Sequence, residues 1–317
     1  MPHWSHYRLG PVARSSWRKH DRGGTILDGA IDMYCHANPD LFVRSCDDVG
    51  LARQYAKAGF AAALHRHHFS STVERAEISS AITRFRLYGA IVLNESVGGI
   101  NPRGVEVALR YGARMVVFPT LSSAHYSLTR WRLAKTANEG VNFGNARLTY
   151  ADEDGKLTSE AREVLALVRD HGAALNVGYG SPLERLSVAR EASRIGVRAC
   201  VMTNPTLYER QPTFRQQSLA SIEAFLDIPN TFVEFTAYSM DASYVAGVDP
   251  LLHDVTVGVV IRHPGRVILS SDGGMSDAPE PTLLLQAAVG ALADTGLDDR
   301  LIRPLLHDVP ALVLNLG

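Results

Sequence analysis

Residues 27–67 contain LDGAIDMY (27–34), DDVGLARQYAKA (47–58) and FAAALHRH (60–67). The outer two are short apolar runs punctuated by glycine, and the middle one has the spacing of an amphipathic helix. The same pair of textures recurs along the chain. Strand-like runs are expected at 27–34, 60–67, 87–94, 114–120, 173–179, 198–204, 231–238 and 266–272. Helical spacing occupies 47–58, 72–85, 102–111, 159–171, 182–195, 214–226, 250–262 and 281–295. Ser71 suits a cap, Pro102 and Pro182 suit first helical turns, and Gly59, Gly112, Gly172 and Gly196 stand where helices should stop.

Repeated β-then-α units demand parallel strands joined by right-handed crossovers, and eight such units are the number that closes a TIM-like (β/α)8 barrel. An open doubly wound sheet is the runner-up. It would place a G-x-G-x-x-G turn after the first strand, and none stands there; Gly98-Gly99 alone is weak evidence. We expect one barrel domain over 26–317, an N-terminal extension over 1–25, and an inserted loop at about 121–158 carrying Tyr126, Trp131 and Phe143. In a barrel such an insertion follows the fourth strand and lies over the active face.

Composition narrows the function. With 32 Lys+Arg against 33 Asp+Glu the formal net charge is -1, so no broad basic field is available for a nucleic-acid backbone. Cys35, Cys46 and Cys200 lack paired C-x-x-C spacing, and their odd number argues against a disulfide framework. No apolar run reaches the roughly 18 residues of a membrane span, and residues 1–22 lack the apolar core of a signal peptide. The expectation is a cytoplasmic protein acting on a small molecule, without nucleic-acid or membrane partners; nothing in the sequence fixes an oligomeric state.

Polar residues gather at the ends of the expected strands, where a barrel carries its chemistry. The first ends Asp32-Met33-Tyr34-Cys35-His36, so a period of two puts Asp32, Tyr34 and His36 on one face. The second ends His65-Arg66-His67-His68, with His65 and His67 sharing a face. Asn94 ends the third, Thr120 the fourth with His125 soon after, Tyr179 the fifth, Asn204 the sixth and Asp272 the eighth; the seventh carries Glu234 to Tyr238. If the barrel closes, His36, His67 and Asp272 come from neighbouring strands and share one mouth, as an acid–base set or as ligands of a divalent metal.

The phrases Ile31-Asp32-Met33-Tyr34-Cys35-His36, Ile91-Val92-Leu93-Asn94 with Val97-Gly98-Gly99-Ile100-Asn101-Pro102, Phe118-Pro119-Thr120 and Leu269-Ser270-Ser271-Asp272 resemble an uncharacterised group within the amidohydrolase superfamily of metal-dependent hydrolases. The resemblance spans roughly 28–277. It implies an amidohydrolase-like barrel whose metal is held by a His-x-His pair on strand one, histidines ending strands five and six, and an aspartate ending strand eight. His36 and Asp272 match that pattern. Tyr34, Tyr179 and Asn204 stand where the other three ligands would be, and Pro119-Thr120 supplies no bridging lysine. Neutral phenols and amides are poor zinc ligands, so a normal binuclear centre is not expected. A zinc or manganese ion would need a rebuilt set of His36, His67 and Asp272, with His65 and His68 nearby.

The expected activity is hydrolysis of a small cyclic or carboxylated substrate: a lactone, a cyclic amide or a related C–O or C–N bond. Asp272 would act as base, with His36, His67 and Tyr34 as its catalytic companions and Arg66 or His67 stabilising the oxyanion. His65, Arg66, Asn94, His125, Tyr179 and Asn204 are the expected substrate contacts, and the Arg66-His67-His68 run points to an anionic group on the substrate. One alternative is a metal-free lyase, isomerase or decarboxylase in which His36 and Tyr34 shuttle protons. Another is a barrel that binds a small molecule without turning it over.

Overall fold

The computed structural model describes residues 26–127, 147–205, 214–240 and 251–316. Eight strands lie in sequence order: β1 Ile31–Cys35, β2 Ala62–His65, β3 Arg86–Val92, β4 Met115–Val117, β5 Ala174–Asn176, β6 Cys200–Thr203, β7 Thr231–Thr236 and β8 Val267–Ser270. All seven consecutive pairings are parallel. The circuit returns through a parallel bridge between Cys35 and Gly273, which removes the open-sheet alternative. The eight expected helices all form: α1 Asp48–Lys57, α2 Val73–Thr83, α3 Pro102–Arg110, α5 Ser159–His171, α6 Pro182–Ile195, α7 Phe214–Leu226, α9 Leu251–Arg262 and α10 Pro281–Asp294. Short helices α4 Ala124–Ser127 and α8 Ala237–Met240 follow strands four and seven, and α11 Asp299–Ile302 and α12 Asp308–Leu314 follow α10.

Local chemistry explains these boundaries. Asp47, Asn101, Thr158 and Ser181 accept backbone N–H bonds at the starts of their helices, and Ser181 forms a full capping box with Glu184. Thr72, not Ser71, occupies the cap position of α2, because Thr72 uses its hydroxyl to bond His65 O and Ala90 O between strands. The first strand begins later than the apolar run suggests, since Asp28 and Gly29 make a turn with Gly29 at φ +77°.

Two apolar layers follow from strand alternation. Ile31, Met33, Leu64, Val92, Met115, Val117 and Ile268 fill the barrel, joined at its lower end by Val309, Val313 and Leu314 of α12. The alternate residues, among them Cys35, Ala63, Ile91, Phe118, Leu175 and Phe235, pack outward against the helices. The expected extension at 1–25, and Trp131 and Phe143 of the inserted segment, lie outside the described residues. The two described ends of that segment meet at a Ser123–Leu148 bridge, and Tyr150 is buried with its hydroxyl donating to Val177 O at 2.6 Å.

Closure between β8 and β1 depends on Gly274. Its φ is +115°, and a Cβ there would stand 2.1 Å from the carbonyl oxygen of His36. Gly274→Ala is therefore expected to cost several kcal/mol, on the order of 3 or more, because backbone on both sides must move. Gly196→Ala, at φ +87° with nothing within 4 Å, should cost only about 1 kcal/mol. Urea midpoints of the two variants test the contrast, and equal losses would contradict it.

Candidate active site

The chain end of β1 departs from strict alternation. Pairing with β2 shifts register between Asp32 and Cys35, so Met33 and Tyr34 both reach the barrel interior while Asp32 turns outward. This corrects the expected Asp32, Tyr34, His36 face: only the last two enter the mouth. Asp32 instead works as a bracket, accepting from Tyr34 N and Ser271 N at 3.0 Å each and from the Tyr55 hydroxyl at 2.5 Å. Burial pushes its carboxyl up to about 6 against these hydrogen bonds. The bracket holds together the two strand ends that carry His36 and Asp272.

His36 and Asp272 meet there, with Nε2 3.2 Å from Oδ1. Nδ1 of His36 lies 2.8 Å from the carbonyl oxygen of Arg66, which can only accept, so Nδ1 carries a proton. In a neutral imidazole Nε2 is then the lone-pair atom facing the carboxyl group. Burial drives His36 well below its usual range and pushes Asp272 up to about 7, so the imidazole is neutral and the carboxyl group keeps its proton until the pH approaches neutrality. Asp272 stands at φ +50° and Asn204 at φ +46°, a conformation uncommon for side-chain-bearing residues but tolerated by Asp and Asn. Asn204 accepts from Thr236 at 2.9 Å, and its amide, turned toward Asp272, favours the ionised form of that carboxyl group.

Strand β2 is one residue out of phase with the expected face. His65 points outward to α1, its Nδ1 2.7 Å from Asp48, which Arg75 also holds at 2.7 Å. Arg66 points inward, pairing bidentately with Glu234 at 2.9 and 3.0 Å beneath the ring of Tyr34, whose centroid is 4.3 Å from the guanidinium carbon. His67 turns outward again: Nε2 approaches Pro39 O at 3.1 Å and Asp40 at 3.3 Å, and Nδ1 accepts from Phe69 N and Ser70 N. Both its ring nitrogens are engaged by loop groups, so it does not converge with His36 and Asp272. The cause of the phase error is the outer carboxylates Asp40 and Asp48, which offer imidazoles a charged partner in the helix layer. Burial alone would raise Asp40, yet the His67 hydrogen bond and the Arg44 charge bring it well below the usual carboxylate range. Arg44 holds Asp40 at 2.6 Å.

His68 takes the inward place, its Nδ1 3.0 Å from Thr120 Oγ1 and its ring 5.5 Å from that of His36. Asn94 braces the loops around it, donating to His68 O and Thr120 Oγ1 and accepting from Thr120 N and Ser122 N. The hydroxyls of Tyr34 and Tyr179 are 3.3 Å apart. Tyr126 lies against Tyr179, ring centroids 5.3 Å apart, while neighbouring His125 is half-buried near Arg185 and Glu184.

The polar layer beneath these groups was missed in the sequence. Glu234 takes four donors: two from Arg66, one from Ser270 at 2.6 Å and one from Thr203, which itself accepts from Asn176 at 2.6 Å. A carboxylate at an inward position of TFVEFT, matched by an arginine inside FAAALHRH, was the available signal.

The donor set does not fit the metal centre implied by the resemblance. His36 and Asp272 converge, but Tyr34 and Tyr179 bond each other and the Asn204 oxygen is taken by Thr236. Among the described residues no group of three or more His, Cys, Asp or Glu is placed to share an ion, whereas catalytic zinc takes three protein ligands. No helix among them is long and apolar enough to cross a membrane.

Solved structures share this barrel. A probable 2-pyrone-4,6-dicarboxylic acid hydrolase from Acinetobacter baumannii superposes with a TM-score of 0.58 at 12% identity, covering 91% of this chain and 100% of that one. An amidohydrolase from Pseudomonas aeruginosa gives 0.55 at 12% identity, over 92% and 98% of the two chains. A dihydroorotase gives 0.56 at 11% identity, over 92% and 70%. These neighbours are amidohydrolase-superfamily members, and at such identities the likeness establishes the fold. Curated protein sequences yielded no match. Residues 29–227 match the model of the family of unknown function DUF6282, and the chain belongs to that family.

Proposed function

We propose that this protein is a hydrolase that opens a small cyclic carboxylic ester or amide by proton transfer at Asp272. The observation that carries the reading is the His36–Asp272 contact of 3.2 Å at the barrel mouth, with the far nitrogen of His36 committed to Arg66 O. Neighbouring barrels described as a 2-pyrone-4,6-dicarboxylic acid hydrolase and an amidohydrolase support the reaction class.

A carboxyl group near 7 is half ionised at neutral pH and serves both halves of a hydrolysis. Ionised Asp272 takes a proton from water as the water oxygen bonds to the carbonyl carbon and the carbonyl electrons move onto oxygen. When the tetrahedral species collapses, the C–O or C–N bond breaks and the acid form of Asp272 returns the proton to the leaving oxygen or nitrogen. His36 holds the carboxyl group in place and accepts its hydrogen bond whenever it is protonated. No step passes through a metal, because the donor set described above is too small for one.

Three outcomes test this. Asp272→Asn should lower kcat by roughly 10²- to 10⁴-fold on a responsive lactone or cyclic amide, with KM little changed. Hydrolysis in ¹⁸O-water must place one label in the carboxyl product; turnover without label would favour a lyase or isomerase. Elemental analysis of protein purified without chelator should find well under one equivalent of zinc or manganese, and a stoichiometric ion surviving dialysis would overturn the metal-free step.

Stability supplies a check that needs no substrate. The folded state holds the Asp272 proton more tightly than the unfolded chain, whose carboxyl titrates near 3.8. Stability is therefore lost as pH rises from about 4 to about 7, and the loss persists above 7. Asparagine accepts the same φ and has no charge to bury. Asp272→Asn should thus gain up to about 4 kcal/mol over the native protein at pH 8 and nearly nothing at pH 4. A loss of stability equal at both pH values would place Asp272 in a purely structural role.

A further inference from the structure

Below the Tyr34–Tyr179 pair lies a cavity of about 10 Å³, the room that one water-sized oxygen needs. Tyr34, Arg66, His68, Thr120, Tyr179 and Thr203 line it, with Val92 and Val117 on its apolar side. Arg66 is 3% exposed and commits its two terminal nitrogens to Glu234, while its buried Nε has no partner in the protein. Orphaned buried N–H groups are rare, because the desolvation penalty of the group is then left uncompensated. Tyr34 supplies a second donor: when Tyr179 donates to the Tyr34 oxygen, the proton of Tyr34 is left to point elsewhere. Burial holds that phenol protonated, well above its ordinary range, so it acts as a donor.

We propose that this cavity is the oxygen hole of the site: the carbonyl oxygen of the substrate enters it and accepts hydrogen bonds from the Tyr34 hydroxyl and Arg66 Nε. Resting on the hydrolase reading, this assigns the oxyanion work that a Lewis acid performs elsewhere. Three features favour it. Arg66 contributes a cationic donor whose charge is already balanced by Glu234, so the resting cavity bears no net field to capture free anions. The Arg66 guanidinium under the Tyr34 ring and the bond from Tyr179 both fix the phenol in place. The ring of His36 lies 5.0 Å from that of Tyr34 and 5.5 Å from that of His68, so the acid–base pair borders the cavity. Tyr179 is then a positioning residue and Tyr34 a catalytic one.

The probe is 1-tetralone carrying a ¹³C-labelled carbonyl, a ring ketone that cannot be hydrolysed, followed by difference infrared spectroscopy. Bound to the full-length protein, its carbonyl band should fall below the frequency seen in water. Tyr34→Phe should return the band most of the way to its apolar-solvent position, and Tyr179→Phe part of the way. Val117→Ile, which keeps both donors and fills the cavity, should abolish the shift without lowering the melting temperature. Failure of the probe to bind at millimolar concentration, a bound probe with an unshifted band, or a shift that survives Tyr34→Phe would each overturn the assignment. With a hydrolysable substrate, Tyr34→Phe should lower kcat by about 10²- to 10³-fold with KM nearly constant. A shifted ketone band without any turnover would sink the hydrolase reading and leave the hole standing. Turnover indifferent to Tyr34→Phe would do the reverse.

Discussion

The buried pair of Arg66 and Glu234 is the contact on which the site is organised. Breaking such a pair leaves an uncompensated charge in low dielectric, so neither partner can be lost or moved at small cost. Its consequences radiate through one residue. The carbonyl of Arg66 sets the tautomer of His36, and its guanidinium supports the ring of Tyr34 and lines the cavity below. Glu234 carries the constraint across the barrel to Thr203 on β6 and Ser270 on β8. The upper interior of the barrel is therefore a rigid polar floor in place of the usual layer of branched apolar side chains.

On that floor the chemistry follows from what burial does to each ionisable group. Asp40 and Asp48 have cationic partners and are held below the ordinary carboxylate range, although burial alone would raise them. Asp272 has only the distant pull of Arg44 and Arg66 and the Asn204 amide against the cost of desolvation, and it rises. Asp40 and Asp48 on one side and Asp272 on the other are thus driven in opposite directions by their neighbours. It is this contrast on which the proposed acid–base role of Asp272 rests.

Much of the architecture was legible, because periodicity reports burial directly. The eight strands, the eight long helices and the convergence of His36 with Asp272 all follow from repeats of apolar spacing and from polar strand ends. What was not legible depended on a single residue of phase. Nothing in HRHH distinguishes His65 and His67 inside from Arg66 and His68 inside until Asp48, Asp40 and Glu234 are placed in space. The register shift in β1 is similar: it moves Asp32 from the mouth to the outer layer, and no local pattern marks it. Glu234 was visible as an oddity in an apolar strand, but its meaning required knowing that an arginine at the end of β2, three strands around the barrel across the closure, faced it.

The helix α12 gives the molecule a different kind of property. Val309, Val313 and Leu314 complete the same apolar layer as Ile31 and Met33, residues near the other end of the described chain, and Arg198 ties two of the helix's last carbonyls to the start of β6. Sealing the base of the barrel is thus a contact of very high sequence separation, the kind whose loop-closure entropy slows folding. During synthesis the first βα units would emerge with their inner face unsealed, and they must avoid self-association until α12 arrives. Exposed apolar surface of this kind favours aggregation until the sealing helix docks.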